Sequence, residues 1–235
     1  MGFGLENMYK MKVKLTFTDE LLGTASSDPE IHSKFIASKA PDAPTREQEI
    51  EALGVDEVIE NGTTVFPRMS DGTPILWAYQ IKGFFKGACG YMRTIPGTLS
   101  KDLKAYKKEI DGRIFVVGEG FEIEKRDIIP INVNGDMGEC QRPLRASTAQ
   151  GERIALAHSE SIPAGSWIEF TVCTPIKKDL DIVSEWLDYG DFAGIGQWRN
   201  SGKGRFKWEK VTENINSSPQ AATSRGTKEI ISTTV

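Results

Sequence analysis

The chain of 235 residues holds only three cysteines, Cys89, Cys140 and Cys173, and two histidines, His32 and His158. The cysteines lie far apart and form no CxxC pair, so neither a disulfide framework nor a zinc site is expected, and buried thiols in a reducing compartment fit better. No Ser-His-Asp set or metal-ligand cluster can be argued from the spacings, and no metal or other cofactor is expected. A Walker-type phosphate loop is missing too, because Gly202-Lys203 is followed by glycine and not by Ser or Thr. No window approaches the ~18 apolar residues of a membrane span, so no membrane partner is expected. Residues 1–7 have neither the basic nor the apolar region of a secretory signal, and a cytoplasmic protein is the expectation. An excess of positive charge is also absent. The net charge of −4 by itself argues against a general nucleic-acid binder.

The distribution of charge says more than its sum. Residues 1–76 carry 7 basic and 13 acidic groups, whereas residues 77–153 carry 13 and 10. A basic face on an acidic protein is therefore allowed. Hydrophobic and charged contents of 39% and 26% are those of an ordinary globular chain long enough for a sizeable core.

In chain order, residues 11–17 (MKVKLTF) alternate as a half-buried strand does. Residues 21–27 read as a loop. Residues 29–40 read as a short helix with Asp28 as N-cap and Pro29 at its first position. A second helix follows at 45–53 on a capping box of Thr45 and Gln48, and Asn61-Gly62 signals a hairpin within 55–67. From Tyr79 the stretch PILWAYQIKGFFKGACGYMRTI has near-helical apolar spacing with Gly83, Gly87 and Gly90 interspersed; close helix packing is the plainer reading. Residues 101–108 predict an exposed basic helix, and 113–123 and 127–133 predict strands. Residues 135–153 are polar, glycine-bearing and carry Arg142, Arg145 and Arg153, and they read as a long loop without structure of its own. Two strands, 154–162 and 166–174, flank a Pro163-Ala164-Gly165 turn. An amphipathic helix over 180–189 ends at Gly190 as its C-cap.

Next comes GDFAGIGQWRNSGKGRFKWEK, with Gly194, Gly196, Gly202 and Gly204 threaded among Arg199, Lys203 and Arg205. Glycine allows positive φ and close approach of the backbone to a ligand, and consecutive N–H groups can cradle an anion. Arginine and aromatic neighbours add phosphate pairing and base stacking. A glycine-rich hairpin with a solvated basic face is the plainer alternative. Residues 205–211 form a strand, and 212–235 read as a flexible tail. The whole order predicts an α+β domain with an antiparallel sheet, ferredoxin-like (RRM-like) with helices on one face and with loop and hairpin insertions.

Three motifs in this order resemble those of the RAMP superfamily, proteins that build and process guide RNA in CRISPR systems. PILWAYQIKGFFKGACGYMR resembles its "IPGSSLKGALR" helix, though Trp77-Ala78-Tyr79 replaces the Pro-Gly-Ser lead-in. GERIALAHSESIPAGSWIEF resembles its "E.IPAGT.F.F" strand-turn-strand. GIGQWRNSGKGRF resembles its terminal "LG.GRSRGFGR" loop, with Gln197 and Trp198 where arginine or serine is commoner. The resemblance implies a single RAMP-like domain over residues 8–211, with insertions at about 18–73 and 134–153. It is similar above all to the backbone subunits that coat RNA in CRISPR effector complexes, and a phage or mobile-element relative would carry the same marks.

That resemblance implies a non-catalytic protein with single-stranded RNA or DNA as partner, self-association into a head-to-tail filament, and CRISPR-type protein partners. Lys82, Lys86 and Arg93, with Arg142 and Arg145, would line a phosphate-tracking groove. Gln197, Trp198, Arg199, Lys203 and Arg205 would close it, Trp198 and Phe84 or Phe85 stacking on bases. Two alternatives stay open. One is a metal-independent endoribonuclease using His32, which lies near where guide-processing RAMP enzymes can carry a catalytic histidine. Asp28 lies in the early loop where target-cleaving subunits place an acidic residue. The other is a protein-interaction subunit or decoy of a CRISPR complex.

Overall fold

The structure, a computed structural model, describes residues 7–26, 63–122, 124–148 and 151–212. The helices expected at 29–40 and 45–53, the Asn61-Gly62 turn, Asp28, His32 and the tail from 213 onward lie outside the described residues.

The alternation near the start makes β1, Tyr9–Phe17, which turns Met11, Val13, Leu15 and Phe17 into the core and leaves Lys12, Lys14 and Thr16 half-exposed on the other face. β1 pairs antiparallel with β10 (Trp167–Thr174) on one side and β11 (Phe206–Lys210) on the other, with Val13 opposite Phe170 and Leu15 opposite Trp208. The far edge of β10 is shared by β6 (Phe115–Val117) and β7 (Ile128–Asn132), and β7 pairs with β5 (Ile75–Trp77). All these pairings are antiparallel. Two helices, α1 (Ala78–Met92) and α3 (Lys178–Asp188), pack on this sheet. Along the chain, β1, α1, β6, β7, β10, α3 and β11 succeed one another, which is the α+β arrangement expected.

Both helices form because their apolar residues recur at helical spacing. α1 buries Ala78, Ile81, Phe84, Phe85, Ala88 and Cys89, and α3 buries Ile182, Val183, Trp186 and Leu187. The two meet through Phe85 and Trp186, whose rings are 5.6 Å apart, while Phe84 packs edge-on against Phe206 at 5.2 Å. Phe84 and Phe85 are thus core residues and not base-stacking ones, which corrects their expected role.

The polar stretch 135–153 is not a structureless loop. It supplies β8 (Gly138–Thr148), which pairs with β9 (Gly151–Ile162) over the whole span from Gly138 opposite Ser161 to Thr148 opposite Gly151. Among the described residues β8 pairs with β9 alone, so as an edge strand it tolerates Pro143, and its ladder satisfies the backbone without an apolar face. Three short strands, β2 (Leu21–Leu22), β3 (Ala25–Ser26) and β4 (Thr64–Val65), complete this second sheet along β9. Residues 21–26, read as loop, therefore contribute two of them.

Two further corrections have long-range causes. The helix expected at 101–108 is split into a 3-10 turn, Leu99–Asp102, and α2, Tyr106–Arg113. Glu185 of α3 accepts from the Leu99 and Ser100 N–H groups at 2.6 and 3.2 Å and from the Ser100 hydroxyl at 2.5 Å, and so holds the turn in place. Trp186 Nε1 donates to the same hydroxyl at 2.8 Å. Gly190 is not a left-handed C-cap; it begins α4, Gly190–Ala193, and Gly194, at φ 61°, ends it. A Cβ on Gly190 would lie 2.1 Å from the Phe206 ring, so close packing explains that glycine.

Candidate nucleic-acid interface

The glycine-rich segment is a closed, self-bonded loop. Ile195 N–H donates to Gly204 O at 2.9 Å, Gly204 N–H to Glu20 O at 2.9 Å, and Gly202 N–H to Arg199 O at 2.9 Å. Gly204, at φ 71°, could carry no side chain, because a Cβ would fall 1.9 Å from Ile195 O. The tip is held differently. Trp198 takes a left-handed backbone at φ 52°, alone in doing so among the described non-glycine residues. Such a conformation costs roughly 1–2 kcal/mol and points to a residue whose position matters.

The hairpin of the second sheet reaches this tip. Arg142 of β8 donates from Nη2 to Gln197 Oε1 at 2.6 Å, and its guanidinium carbon lies 5.7 Å from the Trp198 ring centre. Lys203 Nζ lies 5.9 Å from the same ring and is ion-paired with Glu20. Trp198 itself is 38% exposed, with both cations within cation–π range of its ring. Arg205 packs its guanidinium against Gly202, where a Cβ would lie 3.1 Å from the guanidinium carbon. Buried Nε atoms of Arg142 and Arg205 have no hydrogen-bond partner among the described residues. Arg199 reaches α1, its Nη1 4.0 Å from the Cβ position of Gly87. Gly83 and Gly87 are exposed on that helix.

Six of the expected residues thus come together: Arg142, Gln197, Trp198, Arg199, Lys203 and Arg205. Lys82, Lys86 and Arg93 do not join them. Lys86 Nζ is 2.7 Å from the Asp111 carboxylate at α2, holding that carboxyl below the usual range, and Lys82 turns the same way. Burial, helped by the neighbouring Lys86 charge, lowers the Lys82 pKa. Arg93 lies 5.1 Å over the Tyr106 ring. Arg145 sits in β8 opposite Ile154, its side chain outside the described part. His158 is paired with Glu139 across the hairpin. Glu20, the counter-ion of Lys203, was invisible in the sequence because it stands 183 positions away.

Among the described residues no group of acidic, histidine or cysteine side chains is arranged to hold a metal ion, and no helix is long and apolar enough to cross a membrane.

No protein-family model matches the chain, and no curated protein matches its sequence. Solved structures do match. A chain in the cryo-EM structure of the Type III-B Cmr-beta bound to cognate target RNA superposes with a TM-score of 0.51 at 11% identity, covering 87% of this chain and 60% of that one. The two share a fold. The resemblance expected from the motifs is borne out at that level, over less than two thirds of the relative's length. Looser matches are Cmr6 from Pyrococcus furiosus, with a TM-score of 0.41, 11% identity and coverage of 87% and 99%, and a chain of a Type IV-B CRISPR complex, with 0.45, 8%, and 92% and 96%.

Proposed function

We propose that this chain is a non-catalytic binder of single-stranded nucleic acid, RNA first, acting as a RAMP-type subunit of a CRISPR-like assembly. The observation that carries the reading is the meeting of Arg142, Gln197, Trp198 and Lys203 at the loop tip. A partly exposed aromatic ring beside two cations suits a stacked base with its phosphates close by, and Arg199 extends the positive track onto the glycine face of α1. The contacts are to backbone and ring faces, so little sequence preference and strong salt dependence are expected. Head-to-tail assembly on the strand, with CRISPR-type protein partners, is part of the same proposal and draws support from the shared fold.

The test is fluorescence anisotropy with labelled single-stranded RNA and DNA of about thirty nucleotides, several sites long. Wild type is compared with an Arg142→Gln/Arg199→Glu double variant, which leaves the Lys203–Glu20 pair intact. Salt-sensitive binding of nucleic-acid-free protein, lost in the variant, supports the proposal; binding that survives the variant, or none at low salt, sinks it. Light scattering on strands of increasing length reads the assembly.

A further inference from the structure

Away from the loop, a cleft of about 580 Å³ opens beside the start of α1. Lys82, which lines it, and Gly87, which faces Arg199, are about 140° apart around the helix. The cleft is therefore a separate surface. Four aromatic residues line it: Trp77, Tyr79, Phe115 and Phe121. Tyr79, Phe115 and Phe121 are 67%, 37% and 41% exposed, more than a role in packing alone would leave them. Lys82 and Arg126 supply cations, Arg126 with its Nε 3.9 Å from the Asp127 carboxylate, and Lys10 stands 4.6 Å over the Phe121 ring.

Lys82 is the telling residue. Its Nζ lies 5.5 Å from the Phe115 ring centre and donates to the Asp111 carbonyl at 3.3 Å. The Asp111 carboxylate is engaged by Lys86 at 2.7 Å and stays 4.0 Å from Lys82. An ammonium with three donors is thus half-buried against an aromatic wall, with a shared counter-ion. An anion entering the cleft would add an unshared partner to those Lys82 has in Asp111 and nearby Asp127, and burial of the site would strengthen that pairing. Flat rings on the walls ask for a flat ligand, and the volume lies within the range of small-ligand sites.

We propose that this cleft is a second nucleotide site, taking the base of a nucleoside 5′-phosphate between its aromatic walls and the phosphate on Lys82 and Arg126. Asp127, whose carboxylate can only accept, favours bases with an exocyclic amino group, so adenine binds ahead of uracil. The nucleotide is either free or part of a bound strand. The strand-borne form rests on the function proposed above; the free form does not.

The experiment uses the full chain and two readouts. Calorimetric titration with AMP and with UMP measures the free nucleotide. Photo-crosslinking of an iodocytidine-bearing single-stranded RNA, mapped by peptide mass, reads the strand. Phe121→Ala and Lys82→Gln test the site, Arg199→Glu serves as the loop control, and circular dichroism checks folding. AMP binding that weakens about tenfold in both site variants and not in the loop control supports a free-nucleotide site. Without AMP binding, crosslinks on the peptides carrying Tyr79 or Phe121 that fade in the site variants support the strand-borne form. AMP affinity indifferent to both variants, or neither AMP binding nor crosslinks at the cleft, overturns the proposal. Failure of the loop reading shows separately, as strand binding untouched by Arg199→Glu.

Discussion

Arg142 and Gln197 are joined by a hydrogen bond of 2.6 Å that crosses 55 positions of sequence and ties the β8–β9 hairpin to the glycine-rich loop. The Arg142 guanidinium also faces Trp198. A change at either residue therefore moves the other's binding surface.

The first prediction is that these two positions are coupled in strand binding. Gln197→Ala frees the guanidinium to wander, and Arg142→Ala removes both the charge and the brace. Residues sharing a hydrogen bond depart from additivity by roughly 0.5–3 kcal/mol. In a double-mutant cycle read by RNA affinity, the double variant should lose less than the sum of the singles. The salt dependence should fall by about one phosphate's worth in Arg142→Ala and hardly change in Gln197→Ala. Strict additivity would show that the bond does not position the cation.

Trp198 sets stability against binding. Its left-handed backbone costs roughly 1–2 kcal/mol, whereas an exposed cation–π contact returns about 0.5–1 kcal/mol. Trp198→Gly should thus fold as stably as the parent or slightly better, while losing roughly 1–3 kcal/mol of strand affinity if a base stacks there. Thermal unfolding and anisotropy on the same sample decide it. A clear loss of stability with binding intact would make Trp198 a structural residue.

These residues also mark what could be read from the sequence and what could not. The alternation of Met11, Val13, Leu15 and Phe17 and the helical spacing around Phe84 and Phe85 located β1 and α1, because burial on one face is written in the period itself. The loop cluster of Gln197 to Arg205 was legible because glycine, arginine and tryptophan stand close together in the chain. In the sequence Arg142 shows only as a basic residue of a polar stretch; among the described residues β8 is an edge strand whose ladder runs along β9, and such a strand needs no apolar alternation. The expected place of Lys82 and Lys86 in the groove follows from their charge and their position on the central helix. Their direction is set by Asp111 on α2, a contact no local pattern reveals.

Gly190 offers a test of packing without backbone strain, since its φ is not positive. Gly190→Ala puts a methyl 2.1 Å from the Phe206 ring, between α4 and β11. Overpacking of this kind costs about 1–3 kcal/mol. Adding Phe206→Leu should recover part of the loss by making room, although Phe206→Leu alone destabilises by opening a gap beside Phe84. Denaturant midpoints of the three variants check it. Losses that simply add would show that the methyl is accommodated elsewhere.

Arg113 neutralises a buried carboxylate, that of Asp179. Asp179 is only 2% exposed; it accepts from Arg113 Nη2 at 3.1 Å and from the Thr174 hydroxyl at 2.9 Å, with Arg113 Nε 2.8 Å away in the ion pair. Removing the guanidinium alone leaves a buried charge, which costs on the order of 3–5 kcal/mol. Arg113→Met paired with Asp179→Leu removes both charges and should be closer to the parent than Arg113→Met alone. Chemical denaturation of the single and double variants makes the comparison. A double variant no better than the single would place the cost in lost packing of the arginine stem.

Cys89 gives stability a dependence on alkaline pH. Burial in the core pushes its thiol from 9.0 up to about 11, so the folded protein keeps a proton that the unfolded chain gives up. A group whose folded pKa is raised contributes stability that is whole below 9.0 and lost as pH climbs toward about 11. The size is on the order of 2 kcal/mol, one pKa unit being about 1.4 kcal/mol. Lysines and tyrosines titrate in the same window, so the decisive quantity is the difference between the parent and Cys89→Ala. Urea unfolding below pH 9.0 and again midway to 11 should show the parent's advantage over Cys89→Ala shrinking as pH rises. A constant advantage would mean that the thiol ionises as readily in the fold as outside it, through an opening of α1 that exposes Cys89 well below the global unfolding free energy. Thiol labelling distinguishes the two, because half-buried Cys140 should react quickly under native conditions and Cys89 only as fast as α1 opens.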